Sequence, residues 1–596
     1  MQRVDGYAPI GAYGAIGDGR TVALVALDGS IDFLALPALH CPCVFSALLD
    51  SDRGGRFRLE PTAEFTAERR YVEDTNVLET VFRTGDGSVR VTDALTLQRG
   101  ALLPWVEVAR RIEGIEGSVE LAWSVTPRFD WARGETSIRM RRGVPVAEDA
   151  AGELFVGVHA WDAGESEVRG DDEVRGSFRT APGSRALLAL VACEGGPIPF
   201  PRREEVDSRI DSTAADWRRR LEAWSYDGTW RDAVARSALA LLLLIYSPDG
   251  AIAAAPTTSL PERIGGDRNY DYRYAWVRDM AYTLDALIAL GLPEQVQDSL
   301  SWLLRAVGRT EPDLRPFYAL DGTIPTRLEE LPLRGYHDSR PVRYGNAAEA
   351  QLQLGSWGDL LETVDLYLRQ GNAFDEATGE RIGATLDRLC VVWRDEDSGI
   401  WELPDLRHYT ISKLMAWVAF DRAIRLADDG QLPDDHADRW TEEREGVREF
   451  VESRCLSARH GSFAFYAGTD ELDAATLRAT RTGFVDPRGD LMAATIEAVR
   501  SELGAGGPLL YRYSGQQDVE GAFVACSFWL VEALARAGRV AEARETMDEL
   551  LGFANDLGLF AEELDPRSRE LLGNFPQGLS HMGLVTAAAA VRNAER

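Results

Sequence analysis

Two groups of carboxylates, far apart in the chain, have the residue types that acid–base chemistry needs. The first is Asp395-Glu396-Asp397-Ser398-Gly399-Ile400-Trp401-Glu402-Leu403-Pro404-Asp405. A carboxyl beside an aromatic wall and among like charges has its proton affinity raised by desolvation and repulsion, as a general acid near neutral pH requires. Glu402, directly after Trp401, is the best candidate. The bland alternative is an ordinary loop with solvated acids. The second group is Gly558-Leu559-Phe560-Ala561-Glu562-Glu563-Leu564-Asp565, where two adjacent acids next to Phe560 offer a general base or merely decorate a turn. If the two groups flank a glycosidic bond with about 6.5–9.5 Å between carboxyls, a water fits and the anomeric carbon is inverted. Each acid or base contributes about 10²- to 10⁴-fold.

A third cluster, residues 265–279, includes Tyr272-Arg273-Tyr274-Ala275-Trp276-Val277-Arg278-Asp279. Aromatic faces stack on the apolar faces of sugar rings, and Arg and Asp hydrogen-bond vicinal hydroxyls. A buried Arg278–Asp279 pair stapling the fold is a second reading, compatible with the first.

These residues need elements that bring them together. Up to about residue 200 the apolar period is two, with hairpins around Asp28-Gly29 and around residues 84–88, which predicts an antiparallel β-sandwich over 1–200. Residues 201–228 shift to a highly charged helical pattern, read as a linker helix. From 229 to 596 about eleven patterns carry apolar residues three and four apart. Several, notably 239–245 and 523–534, are apolar around most of their circumference and so are buried on both sides. Amphipathic outer helices around apolar inner ones predict an (α/α)6 barrel. Long loops after alternate helices then gather at one end, and the three clusters fall on such loops.

The 596 residues carry 65 Lys plus Arg against 96 Asp plus Glu, a formal charge of -31. That field repels nucleic acid and anionic membrane and favours a neutral or cationic partner. Six cysteines have no metal or disulfide framework and are read as reduced and structural. The opening Met1-Gln2-Arg3-Val4-Asp5 has no charged-then-apolar leader, and no stretch of about 18 apolar residues occurs, so a cytoplasmic location is expected.

Tyr-x-Tyr-x-Trp-x-Arg-Asp at 272–279, Gly-Ile-Trp-Glu at 399–402 and Ala-Glu-Glu at 561–563 resemble, in order, the three signature regions of glycoside hydrolase family 15, which holds glucoamylases, glucodextranases and bacterial α,α-trehalases. The β-sandwich, linker helix and helical barrel resemble its bacterial members. By that resemblance Glu402 is the general acid and Glu562 the general base. Arg278 and Asp279 hold the innermost glucose, Tyr272 lies near the water, and Trp276 walls the pocket. Arg343 and Trp401 are further substrate-binding candidates, as is Glu563, which stands where glucoamylases carry Gln. No metal or cofactor is implied, because two carboxylates suffice. His337, His408 and His581 are assigned to hydrogen bonding. Phe33 and His40-Cys41 stand where relatives often have Trp and Asp-Ser, which leaves the site beyond the first glucose open.

The leading expectation is an inverting, exo-acting, glucoamylase-like α-glucoside hydrolase that releases β-D-glucose, with α,α-trehalase the alternative. A phosphorylase is disfavoured because Glu562 beside Glu563 repels phosphate. An inactive sugar-binding relative is disfavoured because both acids are present. Homo-oligomerisation is left open.

Overall fold

The computed structural model describes residues 3–98, 101–326 and 328–596. The first third forms two eight-stranded antiparallel sheets. One runs from Tyr13–Gly17 through Val22–Ala26, Ile31–Ala35, Arg56–Pro61, Glu120–Thr126 and Glu173–Arg179 to Glu167–Arg169, with Cys43–Phe45 paired beside Ile31–Ala35. The other is centred on Val106–Gly117 and Arg185–Glu194. The Asp28-Gly29 turn joins Val22–Ala26 to Ile31–Ala35 with Leu24 opposite Phe33.

The first three strands of the first sheet are buried at every position. Their runs are therefore apolar rather than alternating, because one face meets the sandwich core and the other the helical domain. Asn555 donates to the carbonyls of Gly11 and Tyr13, Asn76 to that of Leu239, and Arg69 pairs with Asp556.

The charged helix Arg203–Arg220 is more than a connector. Arg209 forms a two-pronged pair with the buried Glu107, and Arg111 holds Asp207 and Asp211, so the helix lies against the second sheet.

Beyond it the helices form a double ring. The outer members are Arg231–Leu243, Pro293–Val307, Glu376–Val392, Ala437–Arg454, Asp490–Glu502 and Val540–Leu551. The inner members are Val277–Leu290, Gly355–Arg369, Thr410–Asp428, the short pair Ala474–Arg478 and Ala479–Thr482, Val524–Arg536 and Gly578–Glu595. Each inner helix packs on the next and the last closes on the first. Thr410–Asp428 and Val524–Arg536 are buried nearly all round, as inner position demands. The short inner pair lies within residues 462–488, where the sequence shows no helical pattern. It is too short to display a helical period.

Segments that lead into inner helices meet at one end, where short strand pairs brace them: Ala275–Trp276 with Phe317–Tyr318, and Ala522–Phe523 with Glu563–Leu564. Among the described residues no helix is long and apolar enough to cross a membrane.

Candidate active site

Glu402 lies on the segment between the outer helix Glu376–Val392 and the inner helix Thr410–Asp428. Its backbone adopts φ 59°, a left-handed conformation uncommon for a residue with a Cβ. The surrounding chain imposes it. The Glu402 N–H donates to Gly399 O at 3.3 Å, its carbonyl accepts from Gln351 Nε2 at 3.1 Å, and Leu403 N–H closes on Ser398 O at 2.9 Å. This twist turns the carboxyl inward. Trp276 Nε1–H donates to Glu402 Oε1 at 2.5 Å, and Arg278 Nη1 stands 3.8 Å away. Arg278 also pairs with Asp279 and donates to Ile400 O at 2.6 Å, tying the start of one inner helix to the Glu402 loop. Burial raises the Glu402 carboxyl above its usual range, while Arg278 and the Trp276 N–H pull it partly back.

Glu562 arrives from the far side of the ring. Its Oε1 accepts from Tyr272 O–H at 2.8 Å and its Oε2 from Asn574 N–H at 3.3 Å. Tyr272 in turn meets Trp276 edge to face with ring centroids 5.5 Å apart, so a continuous wall runs from one acid to the other. At Gly573, with φ 71°, a Cβ would lie 2.6 Å from a Glu562 carboxylate oxygen, so only glycine leaves room for this side chain. His581 supports the loop from behind: its Nε2 accepts from Phe560 N–H, and its Nδ1 meets Ser237 Oγ.

Glu563 does not reach the cavity. Successive side chains of an extended segment point to opposite faces, so Glu562 facing inward sends Glu563 outward. There it joins Glu262 and Glu520, with carboxylate oxygens of all three within 4.8 Å of one another. Arg512 lies among them, 2.8 Å from both Glu262 Oε2 and Glu520 Oε1, and Arg268 also donates to Glu520. Two guanidiniums thus offset part of the charge of the three acids.

Burial, reinforced by the charge of Glu262, pushes Glu562 up to about 8. Burial likewise pushes Glu262 up to about 7 and Glu563 well above the carboxylate range. These groups titrate together. Glu562 accepts two hydrogen bonds, whereas Glu563 accepts one, from Gly521 N–H to its Oε2 at 2.8 Å, and its Oε1 accepts none among the described residues. The donors to Glu562 favour its ionised form against the burial and the Glu262 charge that oppose it.

Tyr272, Trp276, Arg278, Asp279, Arg343, Trp401, Glu402 and Glu562 all line one cavity of about 520 Å³. Arg343 is held there by donation to Asn269 O at 2.7 Å and lies over the Tyr270 ring. Trp401 donates to the buried Asp473 at 2.9 Å. The wall also includes Tyr270, Arg512, Phe523 and Gln577, which the sequence motifs do not single out. Tyr511-Arg512-Tyr513 carries a usable signal, an arginine between aromatics on a long loop at the same barrel end. Glu262 and Glu520 carry none.

His40 is not part of the lining. Its ring meets Tyr246 edge to face, and its carbonyl accepts from Tyr344 O–H at 3.3 Å. His337 lies against Tyr7 and Tyr336, and His408 against Phe450, also away from the cavity.

Residues 228–589 match the family described as Glycosyl hydrolases family 15, and residues 5–150 the domain described as Trehalase-like, N-terminal. The chain is 32% identical to a trehalase of Thermoplasma volcanium, over 99% of this chain and 95% of that protein. It is 34% identical to a trehalase of Mycolicibacterium smegmatis, over 99% and 92%. The fold is similar to that of a bacterial glucoamylase complexed with acarbose, with a TM-score of 0.73 and 12% identity over 99% of this chain and 95% of that one. Two acids from opposite sides of a helical ring, a shared cavity and these matches lead to one statement: the chain belongs to glycoside hydrolase family 15 and is a glycoside hydrolase.

Proposed function

We propose that this chain hydrolyses α,α-trehalose with inversion at the attacked carbon. The observation that carries the choice is that relatives aligning along nearly the whole chain, N-terminal domain included, are named trehalase. That reverses the order in which the motifs alone rank the two substrates.

Glu402 protonates the bridging oxygen as the leaving glucose departs. Glu562 takes a proton from a water that attacks the opposite face of the sugar, and Tyr272 O–H orients that carboxylate. Arg278 and Asp279 bind hydroxyls of the cleaved glucose, Trp276 and Trp401 offer it apolar faces, and Arg343 and Arg512 extend the polar wall. The cavity is within the range of about 300–1,000 Å³ common to small-molecule sites and suits a disaccharide.

The test is a side-by-side assay of trehalose, maltose, isomaltose and longer α-glucans. The highest kcat/KM is expected on trehalose. A preference for maltose or longer glucans would return the glucoamylase-like reading to first place.

A further inference from the structure

Of the 65 lysine and arginine residues in this sequence a single one is lysine, Lys413. It is fully buried on the first turn of the inner helix Thr410–Asp428, beneath the loop that carries Glu402. Its Nζ donates to Trp393 O at 2.5 Å and Asp395 O at 2.7 Å. Trp393 closes the helix Glu376–Val392, so its carbonyl is among the acceptors a helix end leaves without a partner. The neighbouring Ser412 donates to Asp397 Oδ2 at 2.8 Å, and the same oxygen accepts from Leu354 N–H at 3.0 Å.

Two consecutive residues of one helix therefore hold the acid loop at two points. The loop needs such holding, because five residues past Asp397 it places Glu402 in a left-handed conformation that persists only where the surroundings enforce it. An ammonium is a compact point charge that fits between two carbonyls, whereas the flat, wide guanidinium of the arginines does not.

We propose that Lys413 is a positioning residue for catalysis: its ammonium fastens the entry of the Glu402 loop to the inner helix and so aims the Glu402 carboxyl at the leaving oxygen. This rests on the reading of Glu402 as general acid. The groups facing the ammonium are Asp395, Glu396, Asp397, Cys455, His408 and the Phe450 ring. Burial lowers Lys413 to about 8, and the three carboxylates counter that.

The test uses the full chain as Lys413→Met, Lys413→Arg and, for reference, Glu402→Gln. The substrates are the best α-glucoside of the panel and α-D-glucosyl fluoride, whose fluoride leaves without a general acid. Lys413→Met is expected to lose about 10²-fold in kcat on the glucoside with KM little changed. It should keep near-native turnover of the fluoride, and Lys413→Arg should not restore the loss. Native kcat on both substrates, or equal losses on both, would overturn the proposal. If Glu402→Gln itself loses as much on the fluoride as on the glucoside, the acid assignment fails instead. Should Lys413→Met not fold, native protein carrying ¹³Cε-lysine gives a single resonance. Binding of a glucose-like inhibitor is expected to shift it, and an unmoved resonance would overturn the proposal.

Discussion

Glu562 and Glu563 are adjacent in sequence yet differ in chemistry, because one faces a cavity with two hydrogen-bond donors and the other a buried cluster of acids. The pair was legible as a candidate base. The choice of Glu562 as the base came from family resemblance, and that only Glu562 of the two lines the cavity is visible only in three dimensions. Glu262 was not legible at all, since it becomes relevant only by folding beside residues far along the chain. Its charge makes Glu562 harder to ionise, and the proposed base must be ionised to act. Glu262→Gln is therefore expected to move the acid limb of the kcat/KM profile to lower pH, by about one unit. Glu563 faces away from the cavity and is not among the charges that raise Glu562, so Glu563→Gln should leave that limb in place. A limb that moves with Glu563→Gln and not with Glu262→Gln would contradict this reading of the cluster.

At the scale of elements, period-two patterning marked the hairpins and period-3.6 patterning the longer helices, because burial on one face writes itself into the sequence. Two things escaped this logic. The short inner pair has too few residues for a period, and the tie between the β-domain and the barrel depends on single residues. Arg273 is the clearest of these. Fully buried, it pairs with Asp271 at 2.7 and 2.8 Å and donates to Leu39 O and Cys41 O of the β-domain. It also lies over the Trp131 and Tyr344 rings. Because Arg273 follows Tyr272 directly, the β-domain braces the segment that orients Glu562. Removing one partner of a buried pair costs about 3–5 kcal/mol. Arg273→Leu is expected to lower the melting temperature and, in the remaining folded enzyme, kcat. Calorimetry and kinetics on that variant check this, and an unchanged melting temperature would show that the tie carries no weight.

Across the whole molecule, a strongly acidic chain encloses a cavity that presents Arg278, Arg343 and Arg512 beside its two acids. Net charge disfavours nucleic acid as a partner from composition alone, but composition is silent on which neutral sugar enters. The double ring supplies what the proposed mechanism needs, two distant acids on one cavity with a continuous wall of Tyr272 and Trp276 between them. The most direct test is ¹H NMR of the anomers first formed from trehalose, read before mutarotation. Inversion by the Glu402–Glu562 pair predicts one β-glucose from the attacked half for each α-glucose from the leaving half. Two α-glucoses per trehalose would contradict it.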